Sequence, residues 1–404
     1  MIKELYKEVL RETALNISET RIDAVRKKSI IKSGCRVYKD GFIGVAGCYG
    51  EATDDTWAKA EANLTNQIPY PYAPEQSKTR TVDLRSFEIS DEQFIVDIET
   101  LLADMKMEFP QYILSNKIQI TESEFSLAND AGLNLIYFDK TIMLMLLVKH
   151  VDSVNIIDSA IIHISRNYDL NKLYAEARKI LAGYEKEVTF PKLKKIPVIL
   201  QQSEMLGKFQ ESLHGEAMAL GSSMFKERMS SKVFHENFHL YQDRSEEHYH
   251  VPFFDLEGTT QENDRYPLIC EGVIQHTYTD KKSAATYSLP LTGAAGGNYD
   301  EVPTLSSPEL SIATGNKTLK ELLNGELGIL AVFISGGDYT SSGDFVSPVQ
   351  NSYLTDGDHI LGRLPECSIS GNLYEMFGEN YIGFSSDKAF MGNNLLVIRM
   401  EVTY

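Results

Sequence analysis

The stretch Pro252–Ile274, PFFDLEGTTQENDRYPLICEGVI, decides the fold class. It reads as a strand through the aromatic pair Phe253-Phe254, an acidic turn Asp255-Leu256-Glu257-Gly258-Thr259, and a second strand to Cys270 closed by Glu271-Gly272. Glycine and short polar residues between apolar runs are the chemistry of strand reversals. Downstream, long helical patterns nearly vanish, apart from a short one at Thr318–Leu323, and glycines and turn signals crowd residues 292–394. The composition predicts a β-rich C-terminal domain over 188–404, a barrel or sandwich.

Upstream the pattern is mixed. Lys195–Leu200 reads as a strand, and Ser203 as the cap of a helix running to about Leu220. Before that, Asp169 caps a helix with Leu170, Leu173, Ala177, Ile180 and Leu181 inward. Two long strands flank the turn Asn129-Asp130-Ala131-Gly132, and a third runs through Ile156–Ile164. Ser90-Asp91-Glu92-Gln93 is a capping box for a helix with Phe94, Ile98, Leu101 and Leu102 on one face. Another helix starts near Thr53, and the proline-rich Ile68–Pro74 is a loop. Strand-like text precedes Glu51, with a turn at Lys39-Asp40-Gly41. At the start, Ile2, Leu5, Tyr6, Val9 and Leu10 fall at helical spacing and predict an amphipathic helix. The expected fold is α+β in two domains, an α/β N-terminal domain over 1–187 and the β-rich domain after it.

With 404 residues and 43% hydrophobic composition, the chain can bury sizeable cores. No apolar run approaches the roughly 18 residues of a membrane helix, and Lys3, Glu4, Lys7 and Glu8 interrupt any leader-like core. Cys35, Cys48, Cys270 and Cys367 form no CxxC pair and predict reduced thiols in a cytoplasmic protein. A net charge of -18 argues against nucleic acid as a partner, and the basic runs at Arg26-Lys27-Lys28 and Lys192–Lys195 are short.

The chemistry-bearing pattern is His235-Glu236-Asn237-Phe238-His239. On a helix, His235 and His239 at i, i+4 would share a face and could hold zinc, with Glu236 as general base on the bound water. A third ligand is needed. Ser245 is unsuited to that role, and Glu257, His248 and His250 are the remaining options. As a strand, Lys232–Asp243 would instead hold the two histidines about 13–14 Å apart, too far for one metal. Asp255 and Glu257 could form an acid/base pair, or simply build their turn. His248-Tyr249-His250 reads as a solvated loop, and Glu262, Asp264 and Arg265 as a surface charge cluster. Cys270 reads as core packing, and Cys367 lacks the cationic setting that activates a thiol. No P-loop, GxGxxG or GxSxG occurs.

Together these turns resemble the TldD/PmbA family, the "modulator of DNA gyrase" proteins. The resemblance rests on the acidic turn at Asp255–Thr259, Asp280-Lys281-Lys282-Ser283-Ala284-Ala285, Leu291–Gly296, Leu319–Leu323, Gly343-Asp344-Phe345, Ser370-Gly371-Asn372-Leu373 and Asn129–Gly132. The family includes a zinc peptidase subunit with HExxxH and a cysteine ligand near its C-terminus, and a PmbA-like (TldE-like) subunit lacking both. Here the histidine spacing is one residue short, Gly383–Lys388 holds no cysteine, and Lys232–Asp243 resembles a PmbA-like strand. The resemblance implies a PmbA-like subunit of a cytoplasmic peptide-processing metalloprotease, with no cofactor or metal ligand in this chain. Its implied partners are a TldD-like zinc subunit or a second copy, and an unfolded peptide. Two alternatives stand beside it: an autonomous zinc peptidase using His235, Glu236 and His239, and a non-enzymatic peptide-binding homodimer.

Overall fold

A computed structural model describes residues 1–404. Strands β1 (Ile2–Ser18) and β2 (Arg21–Lys39) form a long hairpin that continues into β3 (Phe42–Tyr49). The second reversal is tight, with Asp40 and Gly41 both at positive φ (53° and 82°), and glycine suits such backbone. There follow α1 (Asp54–Ala62), β4 (Ile68–Pro69), β5 (Thr79–Asp83), α2 (Asp91–Glu108), β6 (Tyr112–Asn129), β7 (Asn134–His150), β8 (Ser159–Ser165) and α3 (Leu170–Tyr184). All eight strands join one sheet, ordered β4-β3-β2-β1-β6-β7-β5 with β8 beside β7.

The expected opening helix is a strand. β1 lies inside the sheet between β2 and β6, and both its faces are covered: Leu5 packs with α1, Tyr6 with Phe253. A strand buried on both faces loses the alternation that marks a half-exposed one, and Ile2–Leu10 imitates helical spacing. The helices at Ser90 and Asp169 begin where expected. The Ser90 side chain accepts from the Gln93 N–H (3.2 Å), but the Gln93 amide turns to Asp97, so the box is only half formed. Asp169 accepts from the Lys172 N–H at 3.0 Å.

The second half contains β9 (Lys195–Leu200), α4 (Gly207–Ser212), α5 (Gly215–Ala219), β10 (Leu240–Asp243), β11 (Arg265–Cys270), β12 (Val273–Ile274), α6 (Lys281–Tyr287), β13 (Ala295–Gly296), β14 (Thr304–Leu305), β15 (Leu310–Ile312) and α7 (Leu319–Leu323). It ends with β16 (Gly328–Ile334), β17 (Asp338–Tyr339), β18 (Asp344–Thr355), β19 (Ile360–Leu364), β20 (Cys367–Asn372), α8 (Leu373–Met376), β21 (Tyr381–Phe384) and β22 (Leu396–Thr403). Strand β16 pairs with both β9 and β18, and β9-β22-β20-β18 completes the ring, a closed five-stranded barrel. Closure removes the edges an open sheet would expose.

The single helix expected from Ser203 to Leu220 is broken. Ser203 lies in a 3-10 turn and caps nothing, and α4 and α5 are separated at Leu213-His214. Gly215 starts the second piece because a Cβ there would come within 2.8 Å of the Tyr278 carbonyl oxygen. In the stretch that decided the fold, residues 252–254 form no strand beyond a bridge from Phe254 to Thr260. The reversal at Glu271-Gly272, both at positive φ, does join two paired strands, β11 and β12.

The two halves share one core. Along the barrel strands Ile196, Val198, Leu200, Leu396, Ile398 and Met400 belong to one apolar cluster. Their neighbours Ile199, Leu330 and Val397 join the cluster that holds Phe94, Ile98 and Leu102 of α2, Leu173, Ala177 and Leu181 of α3, and Ile118, Leu144 and Val148 of the sheet. The α2/α3 layer is therefore sandwiched between the sheet and the outside of the barrel. On the opposite sheet face, Phe253 and Phe254 pack with Tyr6, Leu127, Leu135 and Tyr137. Gly34 and Gly47 face each other across β2 and β3, and a Cβ at Gly34 would sit 1.9 Å from the Tyr299 carbonyl oxygen. The sheet surface is smooth there because the loop after β13 lies directly on it.

Candidate site at the buried carboxylates

The HENFH segment is neither the helix of one reading nor the strand of the other. Apart from an isolated bridge from Lys232 to Val273, strand pairing begins at Leu240, and the Phe238 N–H donates to the His235 carbonyl in a turn. Phe234 and Phe238 set this shape, buried together against Phe209 and Phe377. The His235 ring accepts from the Asn237 N–H (3.1 Å), and the His239 ring from the Glu271 N–H (3.3 Å). Glu236 is exposed beside Lys232.

The candidate third ligands are engaged elsewhere. Glu257 is buried among other partners. The His250 ring bridges Ser123 (2.7 Å) and Thr141 (2.8 Å), and the His250 backbone N–H donates to Asp139. His248 Nε2 meets Ser311 Oγ at 2.7 Å and Asp243 Oδ2 at 3.5 Å. No three His, Cys, Asp or Glu side chains cluster as a metal-holding set.

His248–His250 is consequently no solvated loop; it anchors the second half to the sheet, helped by Tyr249 donating to the Ile164 carbonyl (3.1 Å). Asp243, His248 and Ser311 superficially suggest a catalytic triad. A relay needs the serine and the aspartate on opposite ring nitrogens; here both approach Nε2, and Asp243 is instead tied to Arg265 (3.0 Å). Burial pushes the Cys367 thiol up to about 11, and the Cys270 thiol is also raised, so neither is an activated nucleophile. The charge cluster at 262–265 is partly tied down, since Arg80 grips Asp264 with two bonds (2.5 and 2.6 Å) and covers the Phe253 ring.

The densest polar constellation surrounds Asp255 and Glu257, only 2% and 3% exposed. Asp255 Oδ1 accepts from the N–H groups of Glu257 (2.9 Å) and Thr259 (2.8 Å), and Oδ2 accepts from Ala295 (3.0 Å). It thereby fastens its own turn to the turn at Thr292–Ala295. Gly258, at φ 76°, lets the backbone reverse. Glu257 reaches across to the first half, where the Tyr70 hydroxyl donates to it, and its other oxygen accepts from the Lys281 N–H (2.9 Å). Lys281 Nζ in turn donates to the Ala73 carbonyl (2.8 Å).

One residue along, Arg36 on β2 donates to the Leu256 carbonyl and lies 3.4 Å from Glu4, its cross-strand partner on β1. Glu4 also accepts from the Tyr38 hydroxyl (2.8 Å) and the Asn129 amide (3.2 Å). Arg36 and Glu4 are both essentially inaccessible. The acidic turn thus plugs into a polar socket in an otherwise apolar sheet face. It serves as a joint between the halves, with both carboxylates buried in it.

Sequence reasoning found the turn and missed its partners Tyr70, Arg36, Glu4 and Lys281. One signal was available: Arg36 interrupts the apolar run Cys35–Tyr38, and an arginine there must be paired. Tyr70 sat unremarked in a proline loop 187 residues from Glu257.

Burial, followed by the neighbouring charge of Asp255, pushes the Glu257 carboxyl up to about 7. A carboxyl raised in the folded state favours folding while protonated. Its contribution is full below its usual value near 4.5 and is lost as pH rises through about 7. Glu257→Gln can keep both bonds, the amide oxygen toward Lys281 N–H and the amide nitrogen toward Tyr70. The wild-type urea midpoint should therefore fall between pH 5 and pH 8 more steeply than the variant's. Parallel slopes would mean that Glu257 stays charged throughout.

The closed five-stranded barrel and the eight-stranded sheet packed on it are the architecture of a metallopeptidase-related family. A model of the PmbA/TldA metallopeptidase C-terminal domain matches residues 194–402. The chain belongs to the TldD/PmbA family. A zinc metalloprotease TldD homolog from Saccharolobus solfataricus is 26% identical over 213 residues, covering 51% of this chain and 47% of that protein. The match thus spans about half the length of that relative. TldE from Thermococcus kodakarensis has the same fold at 15% identity, with a TM-score of 0.76 over 100% of this chain and 97% of the other. A proposed modulator of DNA gyrase from Thermotoga maritima matches with a TM-score of 0.77 at 16% identity, over 100% of this chain and 95% of that one. No helix is long and apolar enough to cross a membrane.

Proposed function

We propose that the chain is the zinc-free, TldE-like subunit of a cytoplasmic peptide-processing metalloprotease. It acts with a TldD-like zinc subunit, or as a homodimer where none is present, on unfolded peptide. The observation that carries this reading is the HENFH segment, whose histidines sit on an irregular turn with no third ligand. The full-length fold likeness to a TldE protein supports it. Strand edges can hold an unfolded peptide through backbone hydrogen bonds, which suits broad specificity.

The test is elemental mass spectrometry of the purified chain beside a His235→Ala/His239→Ala double variant, with peptide hydrolysis measured alone and after adding a TldD-like subunit. Substoichiometric zinc in both samples, and hydrolysis only in the mixture, are expected. Stoichiometric zinc that the double variant loses would overturn the proposal and make Glu236 the candidate base.

A further inference from the structure

The N-terminal sheet has a long open edge. β3 pairs with β2 only from Lys32 to Lys39, so β2 from Arg21 to Ile31 has β1 on one side and no strand on the other. The direction of its free backbone groups follows from one bond. The Ile31 carbonyl accepts from the Gly50 N–H (2.8 Å), on the β3 side. In an antiparallel ladder the backbone groups of successive residues alternate between edges, so Ser29, Lys27 and Val25 also present theirs to the open side. A register shift opposite Asn16 and Ile17 ends this regular run near Asp23.

Along the regular part of this edge the charges, Arg26, Lys27 and Lys28, have one sign, and the single acid Asp23 lies where that run ends. Lys27 is paired with Asp91 and Lys32 with Glu8 (3.1 Å), but Arg26 and Lys28 have no ion-pair partner, in a chain whose net charge is -18. These two alternate with the residues that offer backbone bonds and share the sheet face opposite Lys27. Val25, at 44% exposure, adds an apolar surface on the other face.

We propose that the Arg21–Ile31 edge of β2 is a binding site for an extended acidic polypeptide segment, added as a further strand. Backbone bonds form at Val25, Lys27 and Ser29, and acidic side chains two residues apart lie opposite Arg26 and Lys28. A second copy of β2 fits worse: pairing it with itself sets one group of cationic residues against another. The site is independent of zinc in either subunit, so its test and the metal analysis fail separately.

The probe is a fluorescent eight-residue peptide alternating threonine and glutamate, titrated by anisotropy against the full chain at low salt. Expected are saturable binding, at least about tenfold weaker affinity for a threonine–lysine peptide, and a similar loss in Arg26→Glu/Lys28→Glu. Val25→Pro, which removes an outward N–H that β1 does not use, should weaken binding comparably while circular dichroism stays unchanged. Equal affinity for both peptides, binding indifferent to Val25→Pro, or no binding at all would overturn the proposal. The last outcome would leave the cations as guards against edge-to-edge aggregation. Sedimentation reads self-association in parallel, and a dimer that Val25→Pro dissociates would assign the edge to a second copy and likewise overturn it.

Discussion

Arg36→Met is expected to destabilise the folded chain by about 3–5 kcal/mol, the range for removing one partner of a buried ion pair. Methionine roughly fills the volume, so the loss is electrostatic. Glu4 would keep the Tyr38 hydroxyl and the Asn129 amide but lose its only cationic neighbour, at a site without solvent. The Leu256 carbonyl would lose its donor as well, loosening the turn that joins the halves. Denaturant unfolding of Arg36→Met, Glu4→Gln and the double variant separates these effects. The double variant should recover much of the loss, with a coupling energy of at least about 1 kcal/mol. If Arg36→Met alone were neutral, the pair would not hold the joint.

Asp255→Ala should be comparably damaging, by about 3 kcal/mol or more. Its carboxylate satisfies the N–H groups of Glu257, Thr259 and Ala295, all inside the protein. Each donor left unpaired there costs roughly 1–3 kcal/mol, and the three share one cause, so the sum is not strictly additive. The nearby buried Arg244 would also lose the opposing charge of Asp255. Asp255→Asn should lose less, because its amide oxygen can still accept from Glu257 and Thr259 while its nitrogen faces the Ala295 N–H. Thermal unfolding with limited proteolysis checks this. Cleavage concentrated in residues 255–260 and 292–296 of Asp255→Ala is expected, and an unaltered digestion pattern would show the clasp to be dispensable.

Much of this fold was legible, for reasons that differ between elements. The helices at Ser90 and Asp169 announce themselves through a capping oxygen followed by helical periodicity. The turns at Asp40-Gly41 and Glu271-Gly272 do so through residues that accept positive φ. β1 was misread because it is covered on both faces, which erases the alternation by which a strand is recognised. HENFH was misread for a related reason. Phe234 and Phe238 fit a helix by spacing, yet they pack against Phe209 and Phe377 from a turn, so tertiary packing overrode local pattern. Asp255 and Glu257 stood out as an acidic turn. Their meaning depends on Arg36 and Tyr70, about two hundred residues away, and nothing local in either segment signals the contact.

The shared core beneath the barrel has a mechanical consequence. Because α2 and α3 are glued to the sheet on one side and to Ile199, Leu330 and Val397 on the other, the halves cannot swing apart like jaws. Parting them would expose apolar side chains from both. The two halves behave as one block, and whatever reaches the surfaces buried between them must arrive past loops. A damaged copy, for the same reason, has no half to shed and must lose its structure as a whole.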